Sequence, residues 1–457
     1  MLFFVVVAAM PPQFLYWDDL GFLERARDPI QLDYGHALYV PTLRGWRAFL
    51  SLFDFTTEEY AAKMLSSIFA AFVFVLLWKR LERTGLATTS AIALSALVGT
   101  TPFFWRQTGI VEPTTPTLAF LLLAARAAER YGEARTLGRA IALVLFCSIT
   151  FGYHVVSVLA LPWLVHLAWS RPRPPLRHLL VPASLTLALA LVLTLARKLS
   201  VLATLFGYWT GFLPPFSSET LVENRAEGWT ILVHGFPVLL VLGGLGIVLS
   251  AARKRFPRGL VLGLPYGLAF LFLGAPKVGL LLPVSVSLGL VAGEAFASFE
   301  RRRPLALVGE LLASAVLAFQ VGFGLVRAYD RAVTPDTLQE SATLMAGGLP
   351  KGSLLLAGPT AHHVLWFTEV PCVALPNEIH SAPTRPDGKK DVIALVREVA
   401  RRMSPSYERV YLSSEALDYL VWRWNADPTT LSLDAEGTIV VRDDPALYLV
   451  PLAIPKP

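Results

Sequence analysis

The chain has 457 residues, of which 54% are hydrophobic and 16% are charged, and its mean hydropathy is +0.54. Soluble domains carry roughly 25% charged residues, so this composition argues against an ordinary soluble enzyme and favours a polytopic α-helical membrane protein. The formal net charge is only +6, and the basic residues lie between apolar segments, so binding to nucleic acid is not expected.

Apolar segments recur along the chain at lengths near the roughly 20 residues that cross a bilayer as a helix. The first is short and has neither a basic flank before it nor a small-residue cleavage site, so a cleaved signal peptide is not expected. About eleven transmembrane helices are predicted, at 2–17, 60–78, 86–104, 113–129, 138–152, 154–169, 179–196, 229–250, 259–274, 278–298 and 304–326.

Basic residues are concentrated in every second gap between these segments. Lys and Arg mark the cytoplasmic loops of membrane proteins, so the alternate gaps are predicted to lie outside. The first loop (18–59), the turn at Glu112 and the C-terminal tail then face the outside of the cytoplasmic membrane. The basic gaps contain Lys79, Arg80 and Arg83; Arg126, Arg130, Arg135 and Arg139; Arg171, Arg173 and Arg177; Arg253, Lys254, Arg255 and Arg258; and Arg301, Arg302 and Arg303.

The first loop contains two segments with helical patterns. In "VPTLRGWRAFLSLF" (40–53), the apolar residues recur at helical spacing and the arginines fall on another side. "DLGFLERARD" (19–28) predicts a second short helix. Both suit a position in the membrane interface, where they would cover an outer cavity; an ordinary amphipathic loop is the alternative.

The tail from residue 330 alternates short β-like runs with helical patterns, which predicts a small α/β domain outside the membrane. "SLLLAG" (353–358) and "RVYLSS" (409–414) are strand candidates, "GTIVVRDD" with "ALYLVPL" is a hairpin candidate, and "DVIALVREVARRM" (391–403) is a helix candidate. Two domains are therefore expected, at 1–329 and 330–457. The two cysteines, Cys147 and Cys372, are not expected to form a disulfide.

Two adjacent carboxylates, Asp18 and Asp19, follow the first apolar segment. A carboxylate beside a low-dielectric cavity has a raised pKa and can act as a general base. Paired acids also suit a divalent cation such as Mg²⁺ or Mn²⁺, and a capping or solvated role is the plain alternative. The residues do not distinguish these roles.

Further ionisable groups lie at the predicted outer ends of spans, where such groups mark functional sites by default. Glu112 has Arg106 close by, and His154 lies in the "FGYHV" turn. Lys277, Arg197 and Lys198 are candidates for holding a phosphate, with snorkelling to the interface as the alternative. The adjacent histidines His362 and His363 are discounted as a metal pair, because neighbouring residues point in different directions.

Four motifs resemble those of the GT-C superfamily of membrane glycosyltransferases, and of its protein O-mannosyltransferase-like branch in particular. "DDLGFL" is similar to the family's acidic "DSGEL"-type motif, and "LDYGHALYVP" (32–41) to its "HPPGYPLY"-type stretch. "FWRQTGIVEPTTPTLAF" (104–120) resembles a "FWSQAVIAEVYTLNALF"-type segment, which aligns Glu112 with its glutamate. "FGYHVVSV" resembles a "GNHHT"-like turn, with His154 at a histidine position.

The resemblance implies an inverting transfer of a sugar from a polyprenyl-phosphate donor to an acceptor hydroxyl on a protein, lipid or glycan. Asp19 or Asp18 would be the general base. The substrate would contact Glu112, His154, Arg106, His36 and Tyr39, and the donor phosphate would contact Lys277, Arg197 and Lys198. No cofactor is required; if a divalent metal (Mg or Mn) binds, Asp18 and Asp19 are its first candidate ligands.

The sequence is also compatible with two other classes of protein. A transporter or lipid flippase also needs many spans, but it usually places its charges near the middle of the membrane. An O-antigen ligase or polymerase also uses lipid-linked sugars outside the membrane. A lateral opening toward lipid with a covered outer cavity would favour the transferase, whereas a central two-sided pathway would favour transport.

Overall fold

The computed structural model describes residues 17–27, 36–53, 58–169, 232–233, 235–273, 281–297, 337–378, 391–424, 426–443 and 446–453, together with single helical residues at 314, 318 and 322. The predicted segments 2–17, 179–196 and 304–326 lie almost entirely outside these ranges. The chain divides into two compact units. One comprises Met1–Pro12 and Arg25–Ala332, and the other comprises Gln13–Glu24 and Val333–Pro457.

The described part of the chain before residue 300 is helical. A 3₁₀ segment, Val155–Ala160, directly precedes the helix Leu161–Ala168. The α-helices in chain order are α1 (Trp17–Arg27), α2 (Tyr39–Ser51), α3 (Glu58–Arg83), α4 (Thr88–Gly99), α5 (Pro102–Thr108), α6 (Thr114–Glu133), α7 (Leu137–Tyr153), α8 (Leu161–Ala168), α9 (Pro237–Ala252), α10 (Leu260–Leu273) and α11 (Leu281–Phe296). Both helices predicted in the first loop are therefore confirmed as α1 and α2.

Helix α3 is the one described helix that is both long and apolar enough to cross a membrane. Its 26 residues include a window of mean hydropathy 2.0, and at roughly 1.5 Å per residue they extend about 39 Å. Several of the other apolar helices, including α4, α7, α9 and α11, are between 10 and 17 residues long. The count of about eleven spans stays a prediction.

Several helices expose apolar stripes. On α7, Leu137, Ile141 and Leu145 follow one another at four-residue spacing and are 78%, 57% and 48% exposed. Val241, Leu245 and Val248 form a similar exposed stripe on α9, at spacings of four and three residues. Soluble monomers rarely expose contiguous apolar surface of this kind, so these faces fit an apolar surrounding such as lipid.

The predicted span 86–104 is wrong in one respect, because the chain forms two helices there. Helix α4 ends at Gly99, and α5 begins at Pro102. Proline has no backbone N–H and disfavours helical geometry in the residue before it, so it starts a new helix rather than continuing one. The Thr101 hydroxyl completes the break by accepting a hydrogen bond from the N–H of Phe104.

The second unit contains a five-stranded mixed sheet, as the tail pattern predicted. The strand order is β2-β1-β3-β5-β4, with β2, β1 and β3 parallel and the β3–β5 and β5–β4 pairs antiparallel. The strands are β1 (Ser353–Ala357), β2 (Cys372–Ala374), β3 (Arg409–Ser413), β4 (Ile439–Arg442) and β5 (Leu447–Pro451), and the helices are α12 (Thr337–Gly348), α13 (Ala361–Phe367), α14 (Leu375–Glu378), α15 (Val392–Met403) and α16 (Ser414–Trp424).

The sheet is covered by helices on both faces, because alternate strand residues belong to different cores. Leu354 and Leu356 of β1 pack with residues of α15 and α16, whereas Leu355 and Ala357 pack with residues of α12 and α13. Strands buried on both faces have continuous apolar sequences, which is why "SLLLA" is recognisable from sequence. The three-residue β2, only partly buried, was missed.

A partly buried carboxyl links the loop after β1 to α16 in this unit. Glu415, in the first turn of α16, accepts a hydrogen bond from the backbone N–H of Thr360 at 3.2 Å. Gly358 lies so close to this turn that a Cβ would meet Ala416 Cα at 3.1 Å. Burial raises the pKa of the Glu415 carboxyl, and the hydrogen bonds from Thr360 and Gly358 oppose that shift only in part.

This raised pKa predicts a stability change with pH. A carboxyl whose folded-state pKa exceeds its unfolded value contributes stability that is fully present below the unfolded pKa, about 4.3, and is lost as pH rises through the folded pKa. As pH rises from the unfolded pKa of Glu415 through its folded pKa, the free energy of unfolding of the wild-type unit should therefore fall relative to that of Glu415→Gln. Hydrogen exchange of the β1 and β3 amides in the full chain measures this. The exposed Glu436→Gln variant is the control, and an identical pH dependence in all three proteins contradicts the prediction.

Candidate functional site

Four helices of the first unit meet at one end, which we name the Glu112 end: the N-terminal turns of α3 and α6 and the C-terminal turns of α5 and α7. The Ser67 hydroxyl of α3 donates to the Thr108 carbonyl of α5 at 2.9 Å, and the Thr115 hydroxyl of α6 donates to the Ser66 carbonyl at 3.2 Å. The ring of Phe69 lies against Tyr153 at the end of α7. Glu112, in the turn between α5 and α6, and His154, directly after α7, are thus brought to the same end.

The first loop is fixed to this end by its arginines and a tryptophan. Glu58, the first residue of α3, forms ion pairs with Arg27 of α1 and Arg47 of α2. A carboxylate at that position is also favoured by the helix dipole. The indole N–H of Trp46 donates to the Ala61 carbonyl at 2.7 Å. Helix α2 is therefore held on α3 by polar contacts as well as by burial of Leu43 and Leu50.

Two histidines from distant parts of the sequence form a ring pair at the Glu112 end. The rings of His36 and His154 meet edge to face with their centroids 4.5 Å apart. His36 Nδ1 lies 3.0 Å from the Tyr153 carbonyl, so it is the protonated nitrogen. His154 Nδ1 accepts the N–H of Val156 at 3.2 Å, so in the neutral ring the proton is on Nε2.

These two tautomers give the pair complementary functions. In the neutral rings, His36 has its lone pair on Nε2 and His154 has a donor on Nε2. An acceptor and a donor side by side are suited to binding hydroxyl groups such as those of a sugar. The predicted substrate residues His36 and His154 are therefore in direct contact with each other.

Gly152 and Tyr153 fix the position of this histidine pair. The Gly152 carbonyl accepts the N–H of Leu38 at 2.8 Å. A Cβ on Gly152 would lie 2.7 Å from Leu38 Cδ1, so the close approach of the two segments needs glycine there. The Tyr153 hydroxyl is 2.9 Å from the Thr42 hydroxyl, and its ring stacks on Phe120.

Glu112 lies directly before α6 and is half-buried. Its Oε2 accepts a hydrogen bond from the Thr114 hydroxyl at 3.0 Å. Beside this turn, α3 presents Lys63, Ser66 and Ser67 on one face, spaced three and four residues apart. All three side chains are buried, and Lys63 is only 5% exposed.

We name the set Lys63, Ser66, Ser67, Gln107, Thr108 and Thr115 the polar cluster. Within the described part of the chain, Ser66 Oγ and Gln107 Oε1 are buried and have no hydrogen-bond partner. Leaving such groups unpaired costs roughly 1–3 kcal/mol each. The cluster thus has unused hydrogen-bonding capacity next to Glu112, which fits a polar ligand.

Lys63 was missed from sequence although a signal was present. It lies inside the predicted span 60–78, and an ionisable residue inside a span is a functional candidate by default. The missing information was its direction, because sequence alone does not say which side of a helix neighbouring helices cover. Tyr153 and Thr42 were missed for the same reason.

The remaining predicted residues are placed less completely. Asp18 and Asp19 lie in the first turn of α1 and Arg106 lies within α5, but their side chains are outside the described set. Tyr39 is fully buried at the start of α2. Lys277, Arg197 and Lys198 lie outside the described residues. Their roles stay predictions.

Asp18 and Asp19 are the candidate metal ligands from the sequence. Among the side chains that the structure describes, no three His, Cys, Asp or Glu residues come together as metal ligands, and this includes the discounted His362 and His363. The two cysteines are free thiols, as expected. The described residues therefore offer no ligand set for a divalent cation.

Comparison with known proteins gives the class of fold. Similarity extends over 100% of this chain and 98% of the structure of ArnT from Cupriavidus metallidurans bound to undecaprenyl phosphate, with a TM-score of 0.56 at 14% identity. An oligosaccharyltransferase from Archaeoglobus fulgidus, in complex with Zn and sulfate, matches with a TM-score of 0.57 at 10% identity, over 92% of this chain and 69% of that one.

The same archaeal oligosaccharyltransferase, tethered to an acceptor peptide containing the NVT sequon, matches with a TM-score of 0.51 at 12% identity. That likeness covers 89% of this chain and 65% of the other. No protein-family model and no curated protein sequence matches the chain.

At these identities the likeness concerns the fold alone. The chain shares its fold with ArnT and with the archaeal oligosaccharyltransferase, and the predicted combination of many helices with a small α/β unit is confirmed. Its place in the GT-C superfamily stays a prediction. The O-mannosyltransferase-like branch stays a prediction.

Proposed function

We propose that the protein is an integral-membrane glycosyltransferase that takes a sugar from a polyprenyl-phosphate donor. The observation that carries this proposal is the fold along the whole chain, which it shares with a protein crystallised with undecaprenyl phosphate. The histidine pair and the polar cluster, which gather hydroxyl-binding groups at one end of the helices, support it. The acceptor is a hydroxyl group of a protein, lipid or glycan.

The proposed reaction is a single inverting displacement. The acceptor oxygen attacks the anomeric carbon and forms the new glycosidic bond while the bond from that carbon to the phosphate oxygen breaks. The acceptor proton passes to the carboxylate of Asp19 or Asp18, and polyprenyl phosphate leaves as the anion. A general base in this position is worth roughly 10²–10⁴-fold in rate.

The cations hold the donor phosphate in this proposal. Lys63, buried beside the Glu112 turn, joins the predicted Lys277, Arg197 and Lys198 in that role, because an ammonium group binds phosphate through charge-assisted hydrogen bonds. Glu112, His36, His154, Arg106 and Tyr39 orient the sugar or the acceptor. Charges aimed at the departing phosphate stabilise it as the bond breaks.

Asp18 and Asp19 stay candidate ligands of a divalent cation, Mg²⁺ or Mn²⁺. It would supply additional positive charge for the departing phosphate. The proposed steps do not depend on it, because a phosphate is already an adequate leaving group.

The proposed location is the cytoplasmic membrane, with about eleven spans. The domain boundaries are proposed at 1–329 and 330–457, and the C-terminal α/β domain is placed on the extracytoplasmic side together with the reaction. The positive-inside distribution of Lys and Arg supports this orientation. Membrane lipids are the expected surroundings of the exposed apolar stripes on α7 and α9.

Glycan analysis tests the proposal directly. Cells lacking the protein should lose one sugar from a surface glycan, and re-expression of the wild-type chain should restore it, as measured by mass spectrometry. The purified protein should release polyprenyl phosphate from the matching donor. An unchanged glycan profile with no release from any polyprenyl-phosphate sugar would favour the transporter or flippase alternative.

A further inference from the structure

An arginine cluster lies at the end of α3 and α6 opposite the Glu112 end. Arg80 and Arg83 are in the last turns of α3, and Arg126 and Glu129 are in the C-terminal half of α6. Arg80 Nη2 lies 2.9 Å from Glu129 Oε1, and its guanidinium carbon is 4.7 Å from the centre of the Trp163 ring. The Arg80 side chain is only 11% exposed and is well satisfied.

The other two arginines, Arg83 and Arg126, lie near the second oxygen of the same carboxylate. Arg83 Nη1 and Arg126 Nη1 are each 3.7 Å from Glu129 Oε2, which is too long for a hydrogen bond. Glu129 Oε2 and Arg126 Nε are buried and have no hydrogen-bond partner among the described residues. Arg83 and Arg126 nevertheless remain accessible, with 41% and 29% of their side chains exposed.

Nearby acids do not balance this charge. Glu294 attracts Arg80 electrostatically, and its carboxylate also accepts a hydrogen bond from the backbone N–H of Arg258 at 2.8 Å. Glu133 acts electrostatically on Arg83 but also lies 3.7 Å from Arg139, and Glu82 is paired with Lys79. Arg83 and Arg126 are therefore two accessible guanidinium groups whose nearby carboxylates, Glu129 and Glu133, each pair with another arginine as well.

We propose that Arg83 and Arg126 bind the phosphate of an anionic phospholipid. A guanidinium presents a planar fork of N–H donors that matches phosphate oxygens, and basic pockets between helix ends are typical sites for anionic headgroups. The apolar stripe of α7, which begins at Leu137, starts at this same end and offers a surface for an acyl chain. This site lies at the opposite end from the proposed donor site.

Lipid binding by the purified full chain tests the inference. Native mass spectrometry in detergent, with added phosphatidylglycerol or phosphatidylcholine, compares the wild type with the double variant Arg83→Gln/Arg126→Gln. Each basic residue near a membrane surface contributes about fivefold to binding of an anionic lipid. The wild type should therefore prefer phosphatidylglycerol by roughly 10- to 30-fold, and the double variant should lose that preference.

Matched controls separate the site from general surface charge. Lys79→Gln/Arg139→Gln removes two exposed cations that have their own acidic partners, and it should keep the preference. Arg83→Lys/Arg126→Lys keeps the charge and should keep part of the preference even if the glutamine variant folds poorly. Excess glycerol 3-phosphate identifies the source of the phosphate: it should not displace the lipid.

Three outcomes overturn the inference. One is a wild-type chain that does not distinguish phosphatidylglycerol from phosphatidylcholine. Another is a double variant that keeps the wild-type preference. The third is displacement of the lipid by excess glycerol 3-phosphate, which would show a site for a soluble phosphate instead. None of these measurements involves sugar transfer, so their failure leaves the proposed function untouched.

Discussion

The double variant Asp18→Asn/Asp19→Asn is expected to lose sugar transfer while its helices and its α/β unit remain folded. Asparagine keeps the size of the side chain and its carbonyl oxygen, but it cannot accept the proton of the acceptor hydroxyl. Loss of a general base lowers the rate by roughly 10²–10⁴-fold. Release of polyprenyl phosphate from the matching donor, measured under single-turnover conditions, gives the rate directly.

The single variants separate the two aspartates. Asp19→Asn is expected to cause the larger loss, because Asp19 lies one residue further from the first apolar segment. Asp418→Asn removes an exposed carboxylate on α16 and should retain full activity. If both single variants and the double variant turn over like the wild type, neither aspartate is the base and the proposed mechanism is wrong.

Lys63→Met is expected to lower kcat/KM for the lipid donor while the protein remains folded. Methionine has a similar length and no charge, so it removes the ammonium group and keeps the helix packed. A hydrogen bond to a charged group is worth about 1.5–3 kcal/mol, which corresponds to a loss of roughly 10- to 100-fold. The temperature of thermal unfolding checks that the variant remains folded.

Lys79→Met is the matched control, since Lys79 lies on the same helix but is exposed and paired with Glu82 at 3.0 Å. It should retain wild-type kinetics. Binding of polyprenyl phosphate without a sugar identifies the part of the donor that Lys63 contacts, and the Lys63→Met protein should bind it more weakly. Equal kinetics and equal lipid affinity in the two variants would remove Lys63 from the phosphate site.

Much of the fold follows from local sequence pattern. Long apolar runs predicted the helices, and the strand at 353–357, the strand at 409–413 and the final hairpin were recognised from short apolar stretches. The resemblance to the GT-C superfamily predicted a fold of the kind that the chain shares with ArnT and the archaeal oligosaccharyltransferase. The break at Pro102 was also within reach of local rules, because proline and the residue before it restrict the backbone.

The candidate site depended on information that local pattern does not contain. His36 and His154 come from separate motifs, and the hydrogen bonds to Tyr153 and Val156 that define their tautomers exist only after the helices pack. Lys63 is one of several residues in an apolar run, and its burial depends on α5 and α6 covering that side of α3. The unequal sharing of Glu129 among three arginines is likewise a result of packing.

The sequence by itself therefore predicted a membrane protein and determined most of the described helices, most strands of the α/β unit and the acidic, histidine and cationic residues worth considering. These properties depend on composition and on periodicities within single segments. Only the tertiary structure decided which of these groups meet at the Glu112 end and which meet at the opposite end. The physical reason is that a helix distributes its residues around its axis, so burial and pairing depend on which neighbouring helix covers each face.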